Sequence, residues 1–433
     1  MNKIIVRGGR PLNGSVTISG MKNAALPIVF ASTITGEECI IENIPKVDDV
    51  MRSLEIIREM GAEVEFTDIF ETTVRINAKN LVCGSSPDNM VNRIRGSIYL
   101  AGAELSRFGR SRVALPGGCN FGERPIDQHI KAFKLLGADV NTDDSCITCS
   151  SEGRLKGANI CFDIVSVGAT INAMIVAALA DGITILENAA REPHIVDLAN
   201  FLNTCGANIS GAGTPTIKIR GVEKLHGCES YSIIPDMIEA GTYMAAVAAT
   251  GGCVTLKNII PKHLFNISQN LMEMGAQIEE GDDEITVKAG RHLKAISIKT
   301  MPYPGFPTDM HPQFSALLCT AEGVGEITES IFQNRFKYVD ELRKMGADIM
   351  VNGETARIVG GNRLVGAKVR AVDLRAGAAM IIAGLAAEGE TEISDVELIE
   401  RGYFNIVKSF SELGADIEGS NSDSHPQHIY LEK

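Results

Sequence analysis

The stretch "REMGAEV", residues 58–64, closes an amphipathic segment in which Val50, Leu54 and Ile57 recur at helical spacing, and it opens an apolar run with strand character. A glycine at that junction suits a helix C-terminus whose backbone turns left-handed, a conformation that side chains with a Cβ rarely adopt. The phrase returns as "KLLGADV", "NTCGANI", "MEMGAQI", "RKMGADI" and "SELGADI", with its glycine at 137, 206, 275, 346 and 414. Successive glycines stand 76, 69, 69, 71 and 68 residues apart, so the chain is built from six units of about 70 residues.

Upstream of each phrase lies a turn glycine followed by a β-branched strand, as in "TGEECIIENI" (35–44), "DGITILENAA" (181–190) and "TGGCVTLKNI" (250–259). Before that comes an alanine-rich helix, as in "KNAALPIVFAS" (22–32) and "RAGAAMIIAGLAA" (375–387), apolar nearly all round and therefore buried between other layers. Each unit reads as helix, strand, helix, strand, and the simplest partition is two α/β domains of three units. The boundary is expected near 226–236. The first domain is expected over 21–230 with a lid loop at 113–124, and a discontinuous second domain over 1–20 plus 231–433, with the N-terminal strand pairing with "HIYLEK" (428–433).

Composition limits the partners. The chain has 433 residues, 45% hydrophobic and 22% charged, with a net charge of −13. So acidic a protein is no nucleic-acid scaffold, although a few cations gathered in a cleft still attract a small anion. No stretch reaches the ~20 apolar residues that span a bilayer, and the start lacks the apolar core of a signal peptide, so a cytoplasmic protein is expected. Ten cysteines in that setting are reduced thiols. Cys39, Cys161, Cys205, Cys253 and Cys319 stand among apolar residues and read as small buried hydrophobes. "SCITCSS" (145–151) reads as a strand edge and not as a metal or redox motif. Neither GxxxxGK[ST] nor a GxGxxG after a strand occurs.

Function is sought where the units differ. Their buried helices start at Lys22-Asn23, Arg95, Thr170, Glu239, Asp309 and Arg375, and the loops after the strands carry Lys46, Arg124, Arg191, Lys262, Arg335 and Arg401. Helix N-termini bind anions through free N–H groups and the dipole, so Lys22, Arg95, Arg124 and Arg401 describe either a polyanion site or solvated caps. Asp309, among the prolines of "YPGFPTDMHPQF", is a helix cap or a fixed general base. The second unit spans 42 residues from Arg95 to Gly137, against 36 from Thr170 to Gly206. In it "LPGGCNFGERPID" (115–127) forms a glycine-rich lid with Cys119 at its tip, close to Arg124, a cation that favours the thiolate, and His129 follows as a helper.

"SGMKNAALPI", "LPGGCNFGERPID", "SVGATIN", "ENAAREPHIVD", "FPTDM", "NRF", "DLRAG" and "RGY", in this order over the whole chain, resemble the enolpyruvyl transferase family, and within it the members acting on UDP-N-acetylglucosamine. The resemblance implies two inside-out α/β domains, each of three βαβαββ units, with the active site between them. It implies transfer of the enolpyruvyl group of phosphoenolpyruvate to the 3-hydroxyl of UDP-N-acetylglucosamine with release of phosphate, the first committed step of peptidoglycan precursor synthesis. By the same resemblance Lys22, Arg124 and Arg401 cage phosphoenolpyruvate, and Asn23, Arg95, Ser166, Val167, Gly168, Asp309 and Ile331 contact the sugar nucleotide. Cys119 is the proton donor and the target of fosfomycin, Asp309 the proton acceptor, and Lys22 a third catalytic residue. No metal and no cofactor is implied, and a monomer is favoured. The alternatives are 3-phosphoshikimate as acceptor, and a catalytically silent UDP-sugar-binding paralogue. Two departures from the family pattern stand out: Glu400 before Arg-Gly-Tyr, and the long tail after residue 418.

Overall fold

The structure, a computed structural model, describes residues 3–115, 126–290 and 293–419. All six phrase glycines take positive φ: 99° at Gly61, 96° at Gly137 and Gly206, 105° at Gly275, 90° at Gly346 and 93° at Gly414. Each follows a helix, Asp48–Glu59, Asp127–Leu135, Pro193–Thr204, Phe265–Met274, Val339–Lys344 or Ile406–Glu412, and each leads into a strand. The repeat read from the sequence is thus a repeat of backbone geometry.

Two strands in every unit but the second, where the described residues show one, escaped that reading. In the third unit, strand Asn208–Ser210 turns back into Thr216–Arg220, which buries Ile217 and Ile219 and pairs antiparallel with Ile183–Glu187; on the other side of Ile183–Glu187 lies Asn159–Cys161, parallel and supplied by the preceding unit. Among the described residues, every unit's sheet except the second's gains a parallel strand from outside its own repeat. The first unit's sheet is completed by Cys228–Ser232 from the end of the third, and the fourth's by Leu12–Thr17 from the start of the chain. Among the described residues, five sheets have four strands, whereas the second unit's, Arg110–Ala114, Cys146–Ser150 and Asp139–Thr142, has three.

Tertiary contacts divide the chain into two compact units. One holds the described residues of 19–236 with 302–304, the other those of 1–18, 237–301 and 305–433. The interior of the first is formed by helices Lys22–Ser32, Ile98–Phe108 and Val167–Ala177, that of the second by Met237–Thr250, His311–Thr320 and Leu374–Ala386, each trio packed together within its own unit. Every residue of Lys22–Ser32 except Asn23 is buried. With no polar face to turn to water, these helices take the centre and the sheets take the outside.

Several expectations are corrected. The N-terminal strand Ile4–Arg7 has Glu390–Ser394 on one edge and Asp416–Gly419 on the other, so neither edge is open to 428–433, which lies outside the described residues. Residues 228–232, read as part of a boundary, form a strand of the first unit's sheet. Val113 and Ala114, assigned to the lid, belong to strand Arg110–Ala114. Cys146–Ser150 is the central strand of its sheet, not an edge. Cys39, Cys205 and Cys319 are buried, but Cys161 and Cys253 are exposed, because both sit on the outward-pointing alternation of an outer sheet.

Candidate active site

In the unit of residues 19–236, charged and polar groups gather at the starts of the central helices. Lys22 is the first residue of its helix; its ammonium lies 2.8 Å from Asp49 Oδ2, with side chains 11% and 5% exposed. Its backbone N–H points to Asp236 Oδ2 at 3.3 Å. Asn23 beside it is half-buried. Arg95 opens a 3-10 turn, Arg95–Ser97, that runs into helix Ile98–Phe108.

Ser166 caps helix Val167–Ala177 by accepting the Ala169 N–H at 3.3 Å, and its carbonyl accepts the Thr170 hydroxyl at 2.8 Å. Thr170 in turn receives the Ala190 N–H, which makes it a structural member of the set. His129 is buried with Nδ1 2.9 Å from the Asn172 amide nitrogen. Burial, with the charge of Arg95, pushes its pKa down to about 3, so the ring is neutral. Its Nε2 edge faces Gly168 so closely that a Cβ there would lie 3.0 Å away. His129 is thus a support beneath the Ser166–Gly168 loop and not a titrating helper at neutral pH.

The other unit carries a different constellation. Asp309 lies in the 3-10 turn Thr308–Met310 that precedes helix His311–Thr320. Its Oδ1 accepts from Arg335 Nη2 at 3.0 Å, and its Oδ2 from Arg375 Nε at 3.2 Å and Nη2 at 3.0 Å. The arginine side chains are 2% and 4% exposed while that of Asp309 is 28% exposed, so two buried guanidinium groups present one carboxylate to solvent. Asp373 caps helix Leu374–Ala386 by accepting the N–H groups of Arg375 and Ala376 at 2.8 and 3.0 Å, which fixes where Arg375 starts.

Glu329, which the sequence reading missed, holds this arrangement from below. Its Oε1 accepts the N–H groups of Ile331 and Phe332 at 2.8 and 3.0 Å, and its Oε2 the Thr308 hydroxyl at 2.8 Å. His311 Nδ1 stands 3.1 Å from Oε2, at ion-pair distance but outside the angle of a hydrogen bond. Burial alone would raise the Glu329 pKa; the contacts with His311, Thr308 and Phe332 outweigh it and hold the pKa at about 2. Burial lowers that of His311. His311 Nε2 lies 2.7 Å from the Tyr338 hydroxyl, itself 2.6 Å from Ser315 Oγ. One carboxylate therefore ties Ile331 and the turn of Asp309 together.

Arg401 follows the short helix Glu397–Glu400 and is half-buried. The "RGY" turn is anchored by Tyr403, whose hydroxyl lies 2.8 Å from Thr242 Oγ1 and accepts from Gln313 Nε2 at 3.3 Å; the Arg375 guanidinium sits over its ring at 5.4 Å. Glu400 is exposed. Cys119 and Arg124 lie outside the described residues. Within the first unit, Lys22, Asp49, Arg95 and the Ser166–Gly168 loop stand at helix starts; within the second, Asp309, Ile331, Arg335 and Arg375 form one cluster. Among the described residues, no helix is long and apolar enough to cross a membrane.

Six βαβαββ repeats in two groups of three, with charged residues at the starts of buried helices, define the enolpyruvyl transferase class. A family described as EPSP synthase (3-phosphoshikimate 1-carboxyvinyltransferase) matches residues 6–410, and the chain belongs to that family. It is 54% identical over 418 residues to UDP-N-acetylglucosamine 1-carboxyvinyltransferase 2 of Clostridium acetobutylicum, covering 96% of this chain and 99% of the relative. It is 52% identical over 417 residues to UDP-N-acetylglucosamine 1-carboxyvinyltransferase 3 of Caldanaerobacter subterraneus, with the same coverage. The enolpyruvyl transferase NikO from Streptomyces tendae matches with a TM-score of 0.87 at 28% identity, over 96% of this chain and 98% of that one. EPSP synthase from Acinetobacter baumannii matches with a TM-score of 0.76 at 20% identity over 97% and 99%, a likeness of fold alone.

Proposed function

We propose that this protein transfers the enolpyruvyl group of phosphoenolpyruvate to the 3-hydroxyl of UDP-N-acetylglucosamine and releases phosphate. The observation that carries the reading is the pinned, solvent-facing Asp309 in a chain about half identical, over nearly its whole length, to carboxyvinyltransferases named for that acceptor. In a cell that makes peptidoglycan this is the first committed step of precursor synthesis, on which cell shape and division depend. The reading places the protein in the cytoplasm as a monomer, acting on two soluble anions.

The chemistry follows from the groups. A sugar hydroxyl is a weak nucleophile and the enol carbon a weak electrophile, so one proton must leave as another arrives. Asp309, 28% exposed, has its charge stabilised by Arg335 and Arg375 and takes the hydroxyl proton. Cys119 delivers a proton to the methylene carbon, and C2 becomes electron-poor as the hydroxyl oxygen attacks. Lys22, Arg124 and Arg401 hold phosphate and carboxylate, and they offset charge in the tetrahedral adduct. Loss of phosphate from C2, with a proton of the new methyl group returning to the Cys119 thiolate, then restores the vinyl ether.

Asn23, Arg95, Ser166, Val167, Gly168 and Ile331 orient the sugar nucleotide. The rigidity of the Ser166 cap and the Glu329 bonds to Ile331 suit that task. Fosfomycin, an epoxide, alkylates the Cys119 thiolate in this reading.

The test is phosphate release from phosphoenolpyruvate with UDP-N-acetylglucosamine and with shikimate 3-phosphate in parallel, each product identified by mass. Turnover only with the sugar nucleotide supports the proposal. Turnover with shikimate 3-phosphate, or with neither, overturns it, the latter in favour of a UDP-sugar-binding paralogue.

A further inference from the structure

Three reduced cysteines that no part of this reaction uses meet inside the unit of residues 19–236. Cys39 lies on strand Glu38–Glu42, Cys228 opens strand Cys228–Ser232 directly opposite it in parallel register, and Cys205 ends helix Pro193–Thr204. Their Sγ atoms all lie within 4.8 Å of one another, and the residues are 0%, 6% and 0% exposed. The other sulfur contacts are long: 3.7 Å from Cys39 Sγ to Thr35 Oγ1 and 3.9 Å from Cys228 Sγ to the Ile40 carbonyl.

Thiolates bound to one metal ion at about 2.3 Å stand roughly 4 Å apart around it, so the trio needs shifts of well under 1 Å to close on an ion. Among the described residues no His, Asp, Glu or further Cys completes the group. Structural zinc takes a fourth protein ligand. A soft ion satisfied by three sulfurs, as copper(I) is, suits the site better, because thiolate selects by softness and burial excludes water as a filler.

We infer that Cys39, Cys205 and Cys228 form a three-coordinate thiolate site for a soft monovalent ion, copper(I). Binding exchanges the thiol protons, which pass to the buffer, for sulfur–copper bonds, and no electron is transferred, so the metal must arrive already reduced. The site links the first repeat's sheet to the helix of the third repeat and to the strand that follows it. An occupied site therefore staples the two ends of this unit, and it stabilises the folded state by mass action.

The test is anaerobic titration of the reduced full chain with copper(I) against a chromogenic copper(I) chelator, with thermal melting read alongside. The parent is expected to retain one equivalent and melt several degrees higher. Cys228→Ser should hold copper(I) about 100-fold more weakly or worse, with no gain in melting temperature. Cys161→Ser, which removes an exposed thiol elsewhere, should match the parent. Cys205→Ala and Cys39→Ala repeat the test should the serine variant misfold. Equal retention by parent and by all folded variants of the trio, no retained equivalent, or a mass loss of two hydrogens showing a disulfide in place of bound copper would overturn the assignment.

Discussion

The two units place opposite chemistry at equivalent positions of one repeat. Where the first unit begins its central helices with Lys22, Arg95 and the Ser166 cap, the second has Asp309 in front of His311–Thr320 and Arg375 inside Leu374–Ala386. Lys22 is a cation steadied by a buried carboxylate; Asp309 is a carboxylate steadied by two buried cations. The scaffold common to both is a helix start whose first N–H groups are taken by side-chain oxygens, Asp236 at Lys22, Ser166 at Ala169 and Asp373 at Arg375 and Ala376, as suits the positive end of a helix. The difference teaches that the repeat supplies the platform and that the buried partner decides the sign of the group it steadies.

The largest effect on this contrast is expected from Lys22→Ala. It deletes a charge assigned to phosphoenolpyruvate and leaves Asp49, 5% exposed on its side chain, without its ammonium partner. Turnover should fall by about 10²–10³, and unfolding in urea should show a loss of about 3 kcal/mol. Lys22→Arg should restore stability in part but not turnover, since a planar fork does not replace a point charge.

Next in size is Glu329→Gln. The amide keeps the shape but offers one acceptor oxygen where the carboxylate serves Ile331, Phe332, Thr308 and His311. A drop in turnover of about 10-fold with a raised KM for the sugar nucleotide is expected, as for loss of a supporting group. An unchanged kcat with only a lower melting temperature would reduce Glu329 to a purely structural role.

Gly168→Ala brings a methyl group to about 3.0 Å from His129 Nε2 and should raise the KM for UDP-N-acetylglucosamine several-fold with little change in kcat. The smallest effect concerns His129 alone. Its pKa of about 3, set by burial and then by Arg95, means that the unfolded chain takes up a proton near 6.5 that the folded chain refuses. Stability from this group is therefore lost as pH falls below 6.5. His129→Gln should be less stable than the parent at pH 7, and the gap should close by about 1.4 kcal/mol per pH unit as pH falls from 6.5 to 4.5. Parallel curves for the two proteins would contradict a neutral buried ring.

The six-fold repeat was legible because a left-handed glycine after a helix is a backbone requirement that every copy must meet. A second such signal was present and passed over: Asn43, Asn188 and Asn258 each follow the first strand of their unit at φ of 55–57° and donate a side-chain N–H to Ile233, Phe162 and Ile18, clasping the borrowed parallel strand. The borrowed strands themselves were hidden, since runs as short as Ser297–Lys299 and Lys368–Arg370 carry almost no periodicity and pair outside their own repeat. Asp309 was singled out by its prolines, but its partners lie 26 and 66 residues further on, and nothing local in "NRF" or "DLRAG" says that their arginines turn inward. Cys161 and Cys253 misled because apolar neighbours in sequence alternate faces in a strand.

The claim that Asp309 accepts the hydroxyl proton while other residues bind the sugar nucleotide is tested most directly by Asp309→Asn. Calorimetry with UDP-N-acetylglucosamine and phosphate release under saturating substrates are to be measured on the same preparation. A Kd within about 10-fold of the parent and turnover reduced by about 10²–10⁴, the usual worth of a general base, are expected. Near-normal turnover in a folded Asp309→Asn protein would contradict the claim.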